Sequence, residues 1–242
     1  MSRLRFGSVL ALLALCVAAV PAFADTVFTA DTSMNLGHYT TIGPDTSGLA
    51  SAVSSNCTTC GDPGAALKIA ETFLGAGNIQ VGFVNNNFAY NPGVQGGISS
   101  IAASVDKNVV VSVTGGSNTF HPLIEQGGKF YIASIPGATI SSSPTGYDLF
   151  SATLTAADFD LYNFVTGATS LVNPNFNSGA MLFGLAQISG NGSGMETLTA
   201  YYDNLSYTIT SAKTPEPASF SLLGVGLLGV MALASRKMLL NS

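Results

Sequence analysis

Apolar and polar residues alternate with a period of two through much of the middle of the chain. Over residues 78–84, Ile79, Val81 and Phe83 point one way and Asn78, Gln80 and Gly82 the other, which is the pattern of a half-buried strand. Segments 66–73, 147–154, 180–188 and the long 197–210 read in the same way. Two hairpins are predicted. One joins 98–105 to 109–114 through Asp106-Lys107-Asn108, and the other joins 119–126 to 129–135 through Gly127-Gly128. Residues 85–97 and 140–146 read as loops, and the triple Asn85-Asn86-Asn87 as a turn within the first of them. Thr155-Ala156-Ala157-Asp158 has the spacing of a capping box and predicts a single helical turn through Leu161. Long amphipathic helical patterns are absent. About ten short strands separated by Gly, Asn, Pro and Ser predict an all-β domain, an antiparallel sandwich or barrel.

Both ends depart from this pattern. Arg3 and Arg5 precede an apolar stretch over 9–20, and Ala22-Phe23-Ala24 places small residues at Ala22 and Ala24. That is the layout of a secretory signal peptide read by signal peptidase, with cleavage after Ala24. At the other end, residues 218–235 carry no charge and are about long enough to cross a bilayer as a helix. Gly224, Gly226 and Gly229 interrupt that run, as is common in membrane helices. Pro215 and Pro217 keep the chain before it extended. Arg236 and Lys237 follow it and are expected to stay cytoplasmic, leaving the domain outside. The chain therefore divides into a signal peptide (1–24), one domain (25–213) and a tail (214–242).

Composition narrows the functions open to that domain. Only 9% of the full chain is charged, far below the usual quarter. Residues 25–213 hold four lysines against twelve acids, a net charge of minus eight. No basic patch exists, which excludes nucleic acid as a partner. Cys57 and Cys60 are the two cysteines of the domain. In an oxidising export compartment a short-range disulfide stapling a turn-rich loop is expected. The alternatives are free thiols or a thioredoxin-like redox pair, and Asp62-Pro63-Gly64 breaks the helix the latter requires.

The tail resembles the PEP-CTERM sorting signal of exopolysaccharide-producing Gram-negative bacteria. The matching residues are Pro215-Glu216-Pro217, the apolar run beginning Phe220-Ser221-Leu222-Leu223-Gly224, and Arg236-Lys237. The resemblance implies handling by an exosortase, an inner-membrane intermediate, removal of the tail near the motif, and delivery to the envelope surface or extracellular matrix. The family's longer arginine cluster is reduced here to two basic residues. The stretch 154–159, Asn173-Pro174-Asn175-Phe176, Leu182-Phe183-Gly184 and Asp203-Asn204-Leu205-Ser206-Tyr207 are similar to the jelly-roll domains that precede such tails. Those are similar in plan to lectin-like and carbohydrate-binding sandwiches, which makes a jelly-roll sandwich the expected fold.

Candidate chemistry is sparse. His38 and His121 lie far apart in sequence and match no triad or metal motif. Asp158 and Asp160 read as a helix-start residue and a solvated acid rather than a glycosidase pair, so no catalytic residue is assigned. By analogy with extracellular jelly rolls, Asp31, Asp203 and Asn204 are candidate oxygen ligands for a structural Ca²⁺. Asx-type turns at strand ends are the stronger reading of the same residues. The chain has no Trp. Tyr90, Tyr147, Tyr162, Tyr201 and Tyr202 are the candidates for stacking on sugar rings, with amides of the asparagine triple as hydrogen-bonding partners. The sequence points to a non-enzymatic exported surface protein associated with exopolysaccharide. A carbohydrate-binding module is the alternative, and a glycan-active hydrolase or lyase a third reading.

Overall fold

The computed structural model describes residues 25–43, 50–111, 116–140, 146–192 and 194–212. The signal peptide with Ala22 and Ala24, the motif residues Pro215, Glu216 and Pro217, the apolar segment 218–235 and the pair Arg236 and Lys237 lie outside the described residues. Residues Thr26–Ala212 form one compact unit. In chain order its strands are β1 (Thr26–Asp31), β2 (Tyr39–Ile42), β3 (Ala50–Gly61), β4 (Gly64–Phe73), β5 (Gly77–Tyr90), β6 (Ile98–Val111) and β7 (Gly116–Gln126). They continue with β8 (Lys129–Ala133), β9 (Thr139–Ile140), β10 (Asp148–Leu154), β11 (Phe159–Asn163), β12 (Ala168–Ser170), β13 (Met181–Asn191) and β14 (Glu196–Ser211).

The strands form two antiparallel sheets. One runs β10-β6-β14-β4-β3, with β1 beside the second half of β14; the other runs β12-β11-β8-β7-β13-β5-β2, with β9 on β7. Their inner faces interdigitate as in an antiparallel sandwich. Leu67, Ile69, Val105, Val109, Leu198 and Tyr207 on one side meet Val81, Phe83, Phe120, Ile124, Phe183 and Leu185 on the other. Removing such side chains from water supplies the main driving force, about 25 cal/mol for each Å² of apolar surface.

Three local features differ from the sequence reading, each for a physical reason. Asp106-Lys107-Asn108 is not a turn, since β6 runs through it. Lys107 points inward, fully buried, with Asp106 and Asn108 on the outer face. Residues 85–97 are not one loop. β5 continues to Tyr90, and the register between Leu182 and Gly184 of β13 leaves the asparagine triple as a bulge on β5. Asn85 within it is buried and donates to Asp31 Oδ2 at 3.3 Å. The helical turn expected to reach Leu161 stops at Asp158. Asp158 Oδ2 accepts from Thr155 N at 2.6 Å and Thr155 Oγ1 at 2.8 Å, and β11 starts at Phe159.

β14 also carries a bulge. Asp203 lies opposite Asp106 and Ser206 opposite Ser104, so one residue of β14 is extra. Asn204 takes it up at φ 52, a left-handed conformation that Asn tolerates better than most residues. The phase of alternation slips there, and the inward positions pass from Ala200 and Tyr202 to Leu205, Tyr207 and Ile209.

One end of the core is polar. Glu71, Lys107, Asn118, Gln187 and Ser189 are all at most 1% exposed. Gln187 Nε2 donates to Glu71 Oε1 at 2.6 Å, Asn118 Nδ2 to Ser189 Oγ at 2.9 Å, and the Tyr202 hydroxyl to Asn118 Oδ1 at 3.3 Å. Lys107 Nζ donates to the carbonyls of Asn118 and Ala138 at 2.8 and 3.2 Å. Nζ also lies over the rings of Phe150 and Tyr202, 5.7 and 5.9 Å from their centroids.

Candidate functional site

The outward face of the eight-stranded sheet carries a hollow. Gly82 on β5 lies opposite Ala186 on β13, and Ala186 opposite His121 on β7. Two small residues side by side leave a depression, and the chain fills it itself. The turn after β11 is set by Asn163, whose Oδ1 accepts from Val165 N at 2.8 Å and Thr166 N at 3.1 Å, while Gly167 closes it at φ 69. This turn aims Phe164 back over the sheet. A Cβ on Gly82 would lie 2.9 Å from Phe164 Cζ, so the glycine is what admits the ring.

Phe164 centres a second apolar cluster with Val84, Leu123, Ile132, Tyr162 and Ala186. Its ring meets Tyr162 edge-on at 4.9 Å and Phe130 at 5.8 Å, the geometry that aromatic quadrupoles favour. Burial raises the Tyr162 hydroxyl to about 12, so it stays protonated and donates to Gln80 Oε1 at 2.7 Å. Beside the cluster lies a groove of about 450 Å³, walled by Ile42 and Gly43 after β2, Gly128 to Phe130 at the start of β8, and 161–165. β2 and the β11–β12 hairpin are opposite ends of the sheet order. The sheet thus curls until its two edges face each other across the groove. Exposed Lys129 and Asn163 flank the apolar wall, a combination suited to an uncharged ligand with an apolar face and hydroxyl groups.

The tyrosines singled out in the sequence are distributed otherwise. Tyr90, Tyr162 and Tyr202 are buried, and Tyr147 and Tyr201 are half-buried. Only Tyr162 reaches the groove. Phe130, Phe164 and Lys129 escape sequence reasoning. The available signal is the spacing of Tyr162 and Phe164, two residues apart and therefore on one face of an extended chain.

The proposed metal ligands fall into two groups with no hydrogen-bond partner in common. Asp31 Oδ1 accepts from Ser33 N, Ser33 Oγ and Met34 N at 2.8 to 3.0 Å, and Oδ2 faces His38 Nδ1 at 3.2 Å and Asn85 Nδ2. Burial alone would raise the Asp31 carboxyl, but these hydrogen bonds outweigh it and lower it. Asp203 Oδ2 accepts from Asp62 N at 2.6 Å and Oδ1 from Asn204 N at 2.7 Å, while Asn204 Nδ2 donates to Asp106 Oδ2 at 2.8 Å. Burial raises Asp203, assisted by the neighbouring charges of Asp106 and Asp62. Among the described residues, no three His, Cys, Asp or Glu side chains gather into a metal-binding group.

Cys57 and Cys60 are disulfide-bonded. They sit at the end of β3, where the register to β4 slips between Cys57 and Gly61 so that two residues of β3 are extra. The bridge closes this bulge, and the Tyr147 hydroxyl donates to the Cys60 carbonyl. His121 is buried and donates Nδ1–H to Ala133 O at 2.9 Å, and burial lowers its pKa, which keeps the ring neutral. His38 and His121 have no hydrogen-bond partner in common.

Residues 213–237 match the family model described as a PEP-CTERM protein-sorting motif, so the chain carries an export and sorting signal directly after β14. No curated protein matches the chain. Among solved structures, the sandwich is similar to a family 11 carbohydrate-binding module from Clostridium thermocellum in complex with a β-1,3-1,4-mixed-linked tetrasaccharide. The identity is 11%, covering 79% of this chain and 98% of that one, with a TM-score of 0.38. It is also similar to the CBM22-1 xylan-binding domain from Paenibacillus barcinonensis Xyn10C, at 10% identity over 80% of this chain and 99% of that one, with a TM-score of 0.41. An exo-β-agarase is similar over 74% of this chain and 24% of its own, at 12% identity and a TM-score of 0.38.

Proposed function

We propose that this chain is a non-enzymatic surface protein of a Gram-negative envelope. Signal peptidase releases residues 1–24, an exosortase removes the tail near Pro217, and the sandwich remains associated with exopolysaccharide. The observation that carries this reading is the sorting motif, which begins at residue 213, immediately after the last strand ends at Ser211. The domain is thereby presented with almost no spacer. The carboxylates support a binding role rather than turnover. Asp31, Asp158 and Asp203 are occupied as hydrogen-bond acceptors, and Glu71 and Glu196 are buried. The test is mass spectrometry of protein recovered from the cell surface and from exosortase-deficient cells. The reading expects a chain lacking 218–242 in the first and the full tail in the second. A full tail at the surface of exosortase-competent cells overturns it.

A second reading, carbohydrate binding by the same domain, is favoured by the groove beside Phe130 and Tyr162. An apolar wall next to the Asn163 amide and the Lys129 ammonium suits a neutral glycan, whereas a net charge of minus eight disfavours an acidic one. Affinity electrophoresis in gels carrying neutral or acidic polysaccharides tests it. Retardation by a neutral polysaccharide, lost in Lys129→Ala combined with Phe130→Ala, is the expected result; no retardation by any polysaccharide overturns it.

A further inference from the structure

Strands at the edge of a sheet can pair with another chain, and natural proteins blunt them with shortness, charge, proline or bulges. Three edge strands here follow that rule. β12 has three residues and β2 four, and β10 begins with exposed Asp148. β3 does not follow it. It ends the six-stranded sheet opposite β10 and runs for twelve residues. From Ala50 to Asn56 it holds no charge and no proline. Its register with β4 is unbroken from Ala50 opposite Phe73 to Cys57 opposite Ala66. Among the described residues, no backbone group pairs with the far side of residues 51–55.

The side chains along this edge fit a copy of themselves. Ser51, Val53 and Ser55 face outward, and Val53 is 67% exposed. Val53 heads an uncharged row that crosses the sheet through Ala70 and Thr199 to exposed Val110. The next row, Ser51, Thr72 and Thr197, is uncharged as well. Domains of net charge minus eight repel one another, and an uncharged edge is where two of them can meet. An antiparallel pair about a two-fold axis through Val53 sets that valine against itself, Ala52 against Ser54 and Ser51 against Ser55. None of these pairs buries a charge, and each valine removes apolar surface of the other from water. The bulge closed by Cys57 and Cys60 ends the regular stretch at the other end.

We propose that two copies of this chain pair antiparallel through residues 51–55 of β3, with the two-fold axis at Val53. The contact is isologous, so it closes on itself and uses up both edges. One sheet then runs unbroken from β10 of one copy to β10 of the other. Main-chain hydrogen bonds supply the affinity, as in strand addition generally. A ladder this short makes a weak dimer in free solution. Sorting supplies what the contact lacks. Every copy carries the same motif at 213–237, and neighbours on short tethers meet at about millimolar effective concentration. A second copy is thus the partner that sorting always brings. This enrichment rests on the sorting role proposed for the tail, whereas the pairing itself does not. The edge also stands apart from the groove, which is walled by strands of the other sheet, so it does not depend on glycan binding.

The experiment is cysteine cross-linking of the full chain in cells that produce it, with sedimentation of the purified exported protein. Val53→Cys is expected to give a covalent dimer under mild oxidation, reversed by reductant. Ser51→Cys and Ser55→Cys are each expected to give none alone and a dimer when produced together, because the axis sets position 51 of one copy against 55 of the other. Val53→Lys is expected to keep the circular dichroism and unfolding midpoint of the wild type, since residue 53 is exposed. It should weaken dimerisation at least about tenfold by placing two ammonium groups face to face. Wild-type protein that stays monomeric up to about 1 mM, the concentration short tethers provide, overturns the proposal. So does a Val53→Cys cross-link to any other protein, or dimerisation undiminished in Val53→Lys. A dimer from Ser51→Cys alone overturns the axis at Val53. Retention of the tail at the surface would overturn the sorting role and leave each of these outcomes unchanged.

Discussion

The Tyr162 hydroxyl donates to Gln80 Oε1 across 2.7 Å, although three strands separate β11 from β5 in the sheet. A hydrogen bond that skips β8, β7 and β13 exists only because the sheet curls and the hairpin closes over its outward face. Phe164 and Gly82 make the apolar half of the same closure. The groove is what remains open beside it.

Phe164→Ala should therefore lower the stability of the sandwich by about 3 kcal/mol, the usual cost of emptying a buried aromatic site. Gly82→Val should cost about 2 kcal/mol by driving the new side chain into the ring. The double variant should cost clearly less than the sum of the two, because the valine then occupies space the ring has left. Urea unfolding of the three variants measures all of this, and strict additivity would show that the two residues do not share the hollow.

Acid should unfold the protein partly through Asp31. Its pKa in the folded state lies below the ordinary 3.8. Its contribution to stability is thus complete above that value and is lost as the pH falls through the folded pKa. Asp31→Asn should flatten this acid limb and lower stability at neutral pH by about 1–3 kcal/mol, since the amide meets some of the donors now facing the carboxylate with a donor of its own. Denaturant midpoints between about pH 2 and pH 7 give both quantities.

Breaking the Cys57–Cys60 bridge should have a modest effect. The residues are three apart, and so short a ring restricts the unfolded chain by about 2 kcal/mol at most. Cys57→Ser with Cys60→Ser should loosen the β3 bulge while leaving the polysaccharide retardation of the groove unchanged. Thermal unfolding and affinity electrophoresis of that variant separate the two effects.

Proline and glutamate at the motif should matter for release rather than for folding. Glu216→Ala with Pro217→Ala should leave the unfolding midpoint of the sandwich unchanged, because Thr26–Ala212 form a compact unit by themselves. The same change should leave the tail attached in the envelope fraction. Immunoblotting of fractionated cells reads the second outcome directly.

Strands with regular alternation are legible in the sequence. Leu198, Ala200 and Tyr202 in β14, and Ile79, Val81 and Phe83 in β5, face the core as their spacing requires. Polar residues that face inward are what mislead. Asp106-Lys107-Asn108 has the composition of a turn, and nothing local shows that the carbonyls of Asn118 and Ala138 satisfy the lysine. Asn85 likewise depends on Asp31, at the far end of another strand. The groove is hidden for a related reason. The hollow that makes Phe164 structural is formed by Gly82 and Ala186, each ordinary in its own stretch of chain. Local patterns encode which way a residue points, but partners brought together by topology have no local signature.

β14 has one more consequence, for a domain held by its C-terminus. The strand lies inside its sheet, with β6 along one side and β4 then β1 along the other. A pull directed along the strand axis passes from residue 212 straight into β14, which ends at Ser211. The ladders on both flanks, from Glu196 to Ser211, then share the load in shear instead of peeling apart one bond at a time. Thr26, opposite Thr210, leaves the fold beside the point of attachment, so drag on the body of the domain finds no loose first strand at its far end. While the tail is still in the membrane, the tether thus grips the part of the sandwich best placed to resist flow.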